Sequence, residues 1–299
     1  MKYQFYQADV FTSSPLGGNP LAVFVEASGL DTESMQKIAR EMNLSETTFI
    51  LPASDDGADF DVRIFTPGRE LPFAGHPTIG TTHILRETGK IPDSQKLIRL
   101  KMPIGIIPVH VEESGKRLFM EHPQPEFLHT VDALETVANA LSLPSSSIER
   151  RWPCQVVSTG LPVLFVPLTH LQSARDIKLN STKLEEVLRP LKVDMIYAFT
   201  TETVHKGFTI HSRAFAPAIG IPEDPATGSA SGAIGAYLAQ YDVVAKERLA
   251  DIKIEQGYEM GRPASVYVQV EQTQDGITSI RVGGESVTVI EGHLETENK

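Results

Sequence analysis

Two short glycine-bearing turns carry the residues best suited to chemistry. The first runs Glu70-Leu71-Pro72-Phe73-Ala74-Gly75-His76-Pro77-Thr78, the second Glu223-Asp224-Pro225-Ala226-Thr227-Gly228-Ser229-Ala230-Ser231. Aligned on the first proline of each, both read E-x-P-x-x-G-[H/S]-[P/A]-[T/S]. Each turn leads into a segment of helical character, so each glycine falls where free backbone N–H groups and the positive end of a helix dipole would favour an anion. Two such sites, one in each half of the chain, suit a small carboxylate-bearing substrate in a cleft between the halves. A lone glycine would more simply permit a tight turn, but repetition of the whole turn favours the ligand-binding reading. His76 alone reads equally well as a helix N-cap or a hydrogen-bonded core histidine, and Asp224 before Pro225 as a turn device. Together, on equivalent turns, they form a pair able to hold or move a proton.

The elements that must position these groups also come twice. Arg63-Ile64-Phe65-Thr66-Pro67 and Arg213-Ala214-Phe215-Ala216-Pro217 both read R-x-F-x-P, 150 residues apart by their arginines (63 and 213). Leu21-Ala22-Val23-Phe24-Val25 matches Pro162-Val163-Leu164-Phe165-Val166 as an apolar strand. Each is followed by a helix. Asp31 is a natural N-cap for the first, with Met35, Ile38, Ala39 and Met42 on one face. The second runs from Ser181 to Leu191, with Leu184, Val187, Leu188 and Leu191 on one face. Several matched elements in one order imply duplication of an α/β unit.

Downstream of the second turn, Ser229 to Leu238 is small and uncharged all round, which predicts a helix buried on every side. The counterpart, Pro77 to Leu85, has Pro77 at an expected first helical position. Short β-rich runs surround both: 60–65, 96–102, 106–111, 252–254, 265–270 and 286–290. The expected fold is therefore α+β: two pseudo-symmetric lobes, each an antiparallel-rich sheet or barrel wrapped around a central helix. The expected lobes are 1–120 and 121–285, with the last strand, about 286–299, packing back on the first.

Bulk properties exclude several classes. Among 299 residues, 38 acidic against 27 basic side chains give a net charge of −11 with no basic block, so no nucleic-acid partner is expected. No long apolar run predicts a membrane span, and the N-terminus alternates like a strand rather than a signal peptide, so the expected location is cytoplasmic. The single cysteine, Cys154, rules out chemistry that needs two thiols. The nine histidines show no H-x-x-x-H pair, and Gly17-Gly18-Asn19-Pro20 is neither a P-loop nor a dinucleotide fingerprint. No metal and no cofactor is expected. Glu46, in Asn43-Leu44-Ser45-Glu46-Thr47, reads on composition alone as an exposed loop residue, and composition does not place it near His76.

Asn19-Pro20-Leu21-Ala22-Val23, the run from Ile38 to Thr47, Phe65-Thr66-Pro67, both glycine turns and Arg281-Val282-Gly283-Gly284 together resemble the phenazine-biosynthesis PhzF-like family. The resemblance spans nearly the whole chain. It implies the diaminopimelate-epimerase-like fold, in agreement with the repeat. Epimerase and racemase relatives place a cysteine on each glycine turn; this chain has His76 and Asp224 on those turns, and its one cysteine lies elsewhere. By resemblance, Glu46 is the acid/base of a cofactor-independent isomerisation, assisted by His76 and Asp224, with Gly75, Gly228 and Ser229 lining the substrate site. In the phenazine enzyme the substrate is a dihydro-hydroxyanthranilate and the net change is a hydrogen shift around the ring. A homodimer is expected from the family alone. The rival readings are a non-thiol epimerase or lyase on the same scaffold, and a metabolite-binding protein without catalysis.

Overall fold

Asp31 opens the first helix as its side chain predicts: it accepts from the Ser34 N–H at 2.8 Å, and α1 (Thr32–Met42) buries Met35, Ile38 and Ala39. Asn43 ends the helix in the left-handed region, φ 50°, which an asparagine adopts readily. In the computed structural model, which describes residues 1–296, α1 belongs to the first of two compact units. That unit comprises Met1–Glu121 and the segment from Gly283, and the second is His122–Val282.

The first unit contains β1 (Lys2–Val10), β2 (Asn19–Phe24), β3 (Glu46–Pro52), β4 (Phe60–Phe65), β5 (Glu70–Leu71), α2 (Gly75–Glu87), β6 (Leu97–Met102), β7 (Gly105–Val111) and β8 (Leu118–Glu121). The C-terminal strand β18 (Ser286–Glu295) pairs antiparallel with β1 along its length. Strands β2 and β3 are parallel, as their α1 crossover requires. β3 pairs antiparallel with β4, and β4 pairs antiparallel with β5 and parallel with β6.

The second unit repeats this order. It contains β9 (Glu126–Thr130), α3 (Leu134–Ala140), β10 (Gln155–Ser158), β11 (Pro162–Pro167), α4 (Leu171–Arg175), α5 (Ser181–Leu191), β12 (Met195–Thr200), β13 (Ile210–Ala216), β14 (Ile221–Asp224), α6 (Gly228–Gln240), β15 (Ile252–Gln256), β16 (Ala264–Thr273) and β17 (Gly276–Gly284). β11 and β12 are parallel, β12 and β13 antiparallel, and β13 pairs antiparallel with β14 and parallel with β15. The registers also match: Phe60 lies opposite Leu100, and Ile210 opposite Ile254. The α+β architecture of two similar lobes is thus the one the repeat implies.

Each unit is built around one helix. In α6 every residue but Ser229 and Gln240 is buried, as its lack of charge predicts. In α2 the buried run is continuous from Gly75 to Thr82. Helix α2 starts two residues before the expected point, at Gly75, so Pro77 is its third residue rather than its first. The first N–H groups of a helix have no partner within it, so proline costs no hydrogen bond there either. His76 is correspondingly inside the helix, not its N-cap, which is Ala74. Among the described residues, no helix is long and apolar enough to cross a membrane.

Small residues let strands approach these helices. A Cβ on Gly235 would lie 2.7 Å from Val268 Cγ1 and 3.2 Å from Val270 Cγ2. Gly235→Val should therefore overpack the second core and cost roughly 1–3 kcal/mol. The check is the midpoint of urea denaturation; an unchanged midpoint would show that α6 can shift away from β16 freely.

Candidate active site

The repeated arginines and glutamates explain how the two turns are held. In β4, Arg63 Nε and Nη2 each donate to Glu70, at 2.7 Å and 2.7 Å, in a two-pronged ion pair. In β13, Arg213 makes the same fork with Glu223 at 2.8 Å and 2.8 Å. Each guanidinium also stacks over the phenylalanine two residues on, at 5.1 Å for Phe65 and 5.0 Å for Phe215. Thus the R-x-F and E-x-P motifs are two ends of one interaction. It ties the strand before each turn to the strand that enters it, five residues ahead of Gly75 or Gly228. Carboxylate–arginine forks of this kind fix geometry as well as charge.

In the first unit, the turn beyond Glu70 delivers Gly75 and His76 as the first two residues of α2. Ala74 at the N-cap is extended and offers no side-chain cap to the helix N–H groups. Gly75 lies within the helix and its φ is not positive. A left-handed turn is therefore not the reason for glycine there. Glu46 is not the exposed loop residue that composition suggests. It is the first residue of β3, in register with Leu21 of β2, and it is 7% exposed. That register depends on α1 ending at Asn43, so a feature of the crossover decides where the carboxyl lies. Glu46 Oε2 approaches His76 Nε2 to 3.3 Å.

Burial pushes the His76 imidazole down to about 3, so it is neutral near pH 7. A neutral imidazole has one donor and one acceptor nitrogen. Toward Glu46 it can donate to a carboxylate or accept from a carboxylic acid. A transferable proton at this site therefore belongs on the Glu46 carboxyl, with His76 uncharged beside it.

In the second unit, Asp224 is the last residue of β14 and is buried. Gly228 and Ser229 are the first two residues of α6, whose N-cap Thr227 makes no capping bond with its side chain. The Thr227 hydroxyl is instead directed back, donating to Asp224 Oδ2 at 2.5 Å. Behind it lies Gln256, fully buried at the end of β15. Its Nε2 donates to the Asp224 carbonyl at 2.7 Å and to Thr227 Oγ1 at 2.9 Å, and its Oε1 accepts from the Thr227 N–H at 3.1 Å. Thr227, Gln256 and Gly257 are not singled out by the sequence. Their only signal is position: Thr227 lies inside the turn, and Gln256–Gly257 lie just beyond the strand expected at 252–254.

The structure thus brings Glu46, His76 and Gly75 together in one unit, and Asp224, Gly228 and Ser229 in the other. Cys154 takes no part: it is buried, which pushes its thiol up to about 12. A groove of about 430 Å³ along α5, lined in part by Arg189, Lys192 and Pro217, contains none of these residues. Among the described residues, no group of three or more His, Cys, Asp and Glu side chains is placed to hold a metal ion.

Comparison with known proteins shows the family. The family model described as phenazine biosynthesis-like protein (PhzC-PhzF) matches residues 8–292. The chain belongs to this family. The trans-2,3-dihydro-3-hydroxyanthranilate isomerase of Pseudomonas aeruginosa is 35% identical to this PhzF-like chain over 293 residues, covering 97% of this chain and 98% of that one. An uncharacterized isomerase from Clostridium acetobutylicum is 34% identical over 298 residues, 98% of each chain. The protein is a PhzF-like isomerase. A crystal structure of a Bacillus anthracis PhzF-family phenazine biosynthesis protein matches it with a TM-score of 0.90 at 30% identity, over 99% of this chain and 100% of that one. A hydroxyproline epimerase from Agrobacterium vitis, with a TM-score of 0.62 at 13% identity, shares the fold alone. The PhzF-like fold is accordingly the diaminopimelate-epimerase-like one.

Two outcomes follow from the geometry. His76 should stay neutral from pH 8 down to pH 5, because its burial-lowered value lies below that window while the unfolded side chain titrates near 6.5. Nitrogen-15 NMR of the imidazole reads this directly; a neutral-to-cationic shift inside the window would contradict it. The sign for stability is that His76 costs the fold progressively as pH falls below about 6.5, since only the unfolded chain then takes up the proton. The second outcome concerns Gly257, at φ +79°, where a Cβ would lie 2.4 Å from the Arg262 carbonyl oxygen and 2.6 Å from that of Pro225. Gly257→Ala should cost about 1–3 kcal/mol from the left-handed backbone alone, with a further loss from the clash. Thermal unfolding checks it.

Proposed function

We propose that the protein is a cofactor-independent isomerase that moves a proton between carbons of a small cyclic carboxylate. The observation that carries the reading is the buried Glu46–His76 pair at 3.3 Å. A carboxylate enclosed beside a neutral imidazole can remove a proton from a substrate carbon, hold it as the carboxylic acid, and return it to a second carbon. His76 Nε2 lies 3.3 Å from the carboxyl oxygen, a contact of the kind that tightens into a catalytic hydrogen bond when substrate binds. Asp224 is assigned to orienting and polarising the substrate. The N–H groups at the starts of α2 and α6, at Gly75 and Gly228 with Ser229 beside it, are assigned to the substrate carboxylate. The identity with the Pseudomonas aeruginosa isomerase supports trans-2,3-dihydro-3-hydroxyanthranilate as the first compound to try.

The test is turnover of that compound, followed by proton NMR in parallel H₂O and D₂O reactions. Glu46→Gln keeps the size of the side chain but cannot carry a proton. It should lower the rate on the order of 10²–10⁴-fold, with binding of the compound largely retained. A near-normal rate in Glu46→Gln would move the acid/base role to His76 or Asp224. Binding without turnover by the unaltered protein would favour a metabolite-binding role.

A further inference from the structure

The internal repeat provides a control for every residue near the second turn. Matching Arg63 with Arg213 and Gly75 with Gly228 pairs Ala74 with Thr227. The parallel registers pair Met102, at the end of β6, with Gln256, at the end of β15: β6 and β15 lie in equivalent register against β4 and β13. The first unit therefore builds the same turn and the same buried helix on an alanine and a methionine, which offer no strong hydrogen bonds. The Arg–Glu fork is present in both units, so it is what the turn itself needs. The hydroxyl of Thr227 and the amide of Gln256 answer to something else. What the second unit has at this place and the first lacks is an acid: Asp224 follows the fork glutamate, where the first unit has Leu71.

We propose that Thr227 and Gln256 are positioning residues that hold the Asp224 carboxylate in one orientation for the reaction. This deepens the role given to Asp224 above and rests on it. The chain of donors runs one way. The Gln256 amide gives one hydrogen to Thr227 Oγ1, which obliges the single hydroxyl proton of Thr227 to point elsewhere, and it points at Asp224 Oδ2. The same amide also holds the Asp224 carbonyl, while its own carbonyl takes the Thr227 N–H. Backbone and side chain of Asp224 are thus fixed by one buried glutamine, directly and through one threonine. Gly257 next to Gln256 packs against the Pro225 backbone so closely that no Cβ fits, which sets the distance between the clamp and the turn. A buried polar network with every member engaged is rigid because any rotation leaves a donor or acceptor unpaired.

The experiment compares the unaltered chain with Thr227→Ser, Thr227→Val and Gln256→Met, the last being the residue the repeat uses in the first unit. Three-bond couplings to the Asp224 carboxyl carbon, measured by NMR without any ligand, report its χ1 rotamer. A single rotamer is expected in the unaltered protein and in Thr227→Ser, which keeps the hydroxyl, and rotamer averaging in Thr227→Val and Gln256→Met. In turnover of trans-2,3-dihydro-3-hydroxyanthranilate, Thr227→Val should lower kcat roughly 10- to 100-fold, the range for a misplaced catalytic group, with KM little changed. Thr227→Ser should restore the rate. A fixed Asp224 rotamer in both Thr227→Val and Gln256→Met would overturn the proposal. So would a serine variant as impaired as the valine one. If the unaltered protein does not turn over the compound, the substrate assignment fails, and the coupling measurement still decides the clamp. Thr227→Val is nearly isosteric, so it carries the test should Gln256→Met fail to fold.

Discussion

Each unit depends on an arginine held between a glutamate and a phenylalanine. The guanidinium of Arg63 or Arg213 reaches across a strand pair to grip Glu70 or Glu223 with two nitrogens, while its flat face covers Phe65 or Phe215. Strands β5 and β14 are only two and four residues long. Ladder hydrogen bonds alone would pin such short strands weakly. The fork supplies the missing constraint at the point where the chain must leave the sheet, turn, and enter the central helix. Arg213 goes further than its counterpart: Nη1 also donates to the carbonyls of Ala174 at 2.9 Å and Ile177 at 3.2 Å. The second turn is thereby tied to the end of α4 as well as to its own sheet.

With the turn fixed, each unit is free to vary what the turn carries. The first places a histidine as the second residue of α2 and brings Glu46 to it from the mouth of β3. The second places an aspartate at the strand end and braces it from β15. Neighbouring charge is handled separately. Glu255, adjacent to Gln256, accepts from the Val204 N–H, from the His205 N–H at 3.2 Å and faces His211 Nδ1 at 3.1 Å. His211 Nε2 lies 3.0 Å from Glu259. Burial opposes the charge on His211, yet the two carboxylates outweigh it and raise its affinity for a proton. His211 thus sits between the two acids at the buried end of β15, and Gln256 next along the strand faces the turn.

The repeat was legible because it is local. R-x-F-x-P, E-x-P-x-x-G and the two amphipathic helices are patterns within a few residues, and each specifies an element of its own. The uncharged helix at Ser229 to Leu238 was legible for the same reason: a helix with no polar face has nowhere to go but inside. Glu46 was not legible from its own segment, because a glutamate between a helix and a strand is ordinarily solvated. Its burial comes from the parallel register of β2 and β3, which is a property of the crossover. Only the likeness to a family pointed to it. Gln256 lacked even that signal. A glutamine at the end of a strand has no reason to be singled out until β13 and β15 are seen in register and its amide is found under the turn. The offset of Pro77 has a smaller cause: the first three helical positions all tolerate the missing N–H, so proline marks a helix start only to within a turn.

The asymmetry between the units bears on what kind of proton transfer the fold can host. Inverting a carbon centre calls for one acid/base on each face, and a duplicated fold meets that need most simply with like groups on its two turns. Here the turns differ. One presents a neutral imidazole beside a carboxyl group, the other an aspartate whose hydrogen bonds hold it still. In the proposed isomerisation the mobile proton is assigned to Glu46, with the neutral His76 beside it. The second is built against movement: its threonine and glutamine have their hydrogens committed around Asp224. One proton carrier and one fixed anchor suit removal and return of a proton by the same group at two carbons of one molecule. It does not suit a relay between opposite faces. The divergence of two once-similar turns, one toward mobility and one toward rigidity, is what the isomerase reading needs from this fold.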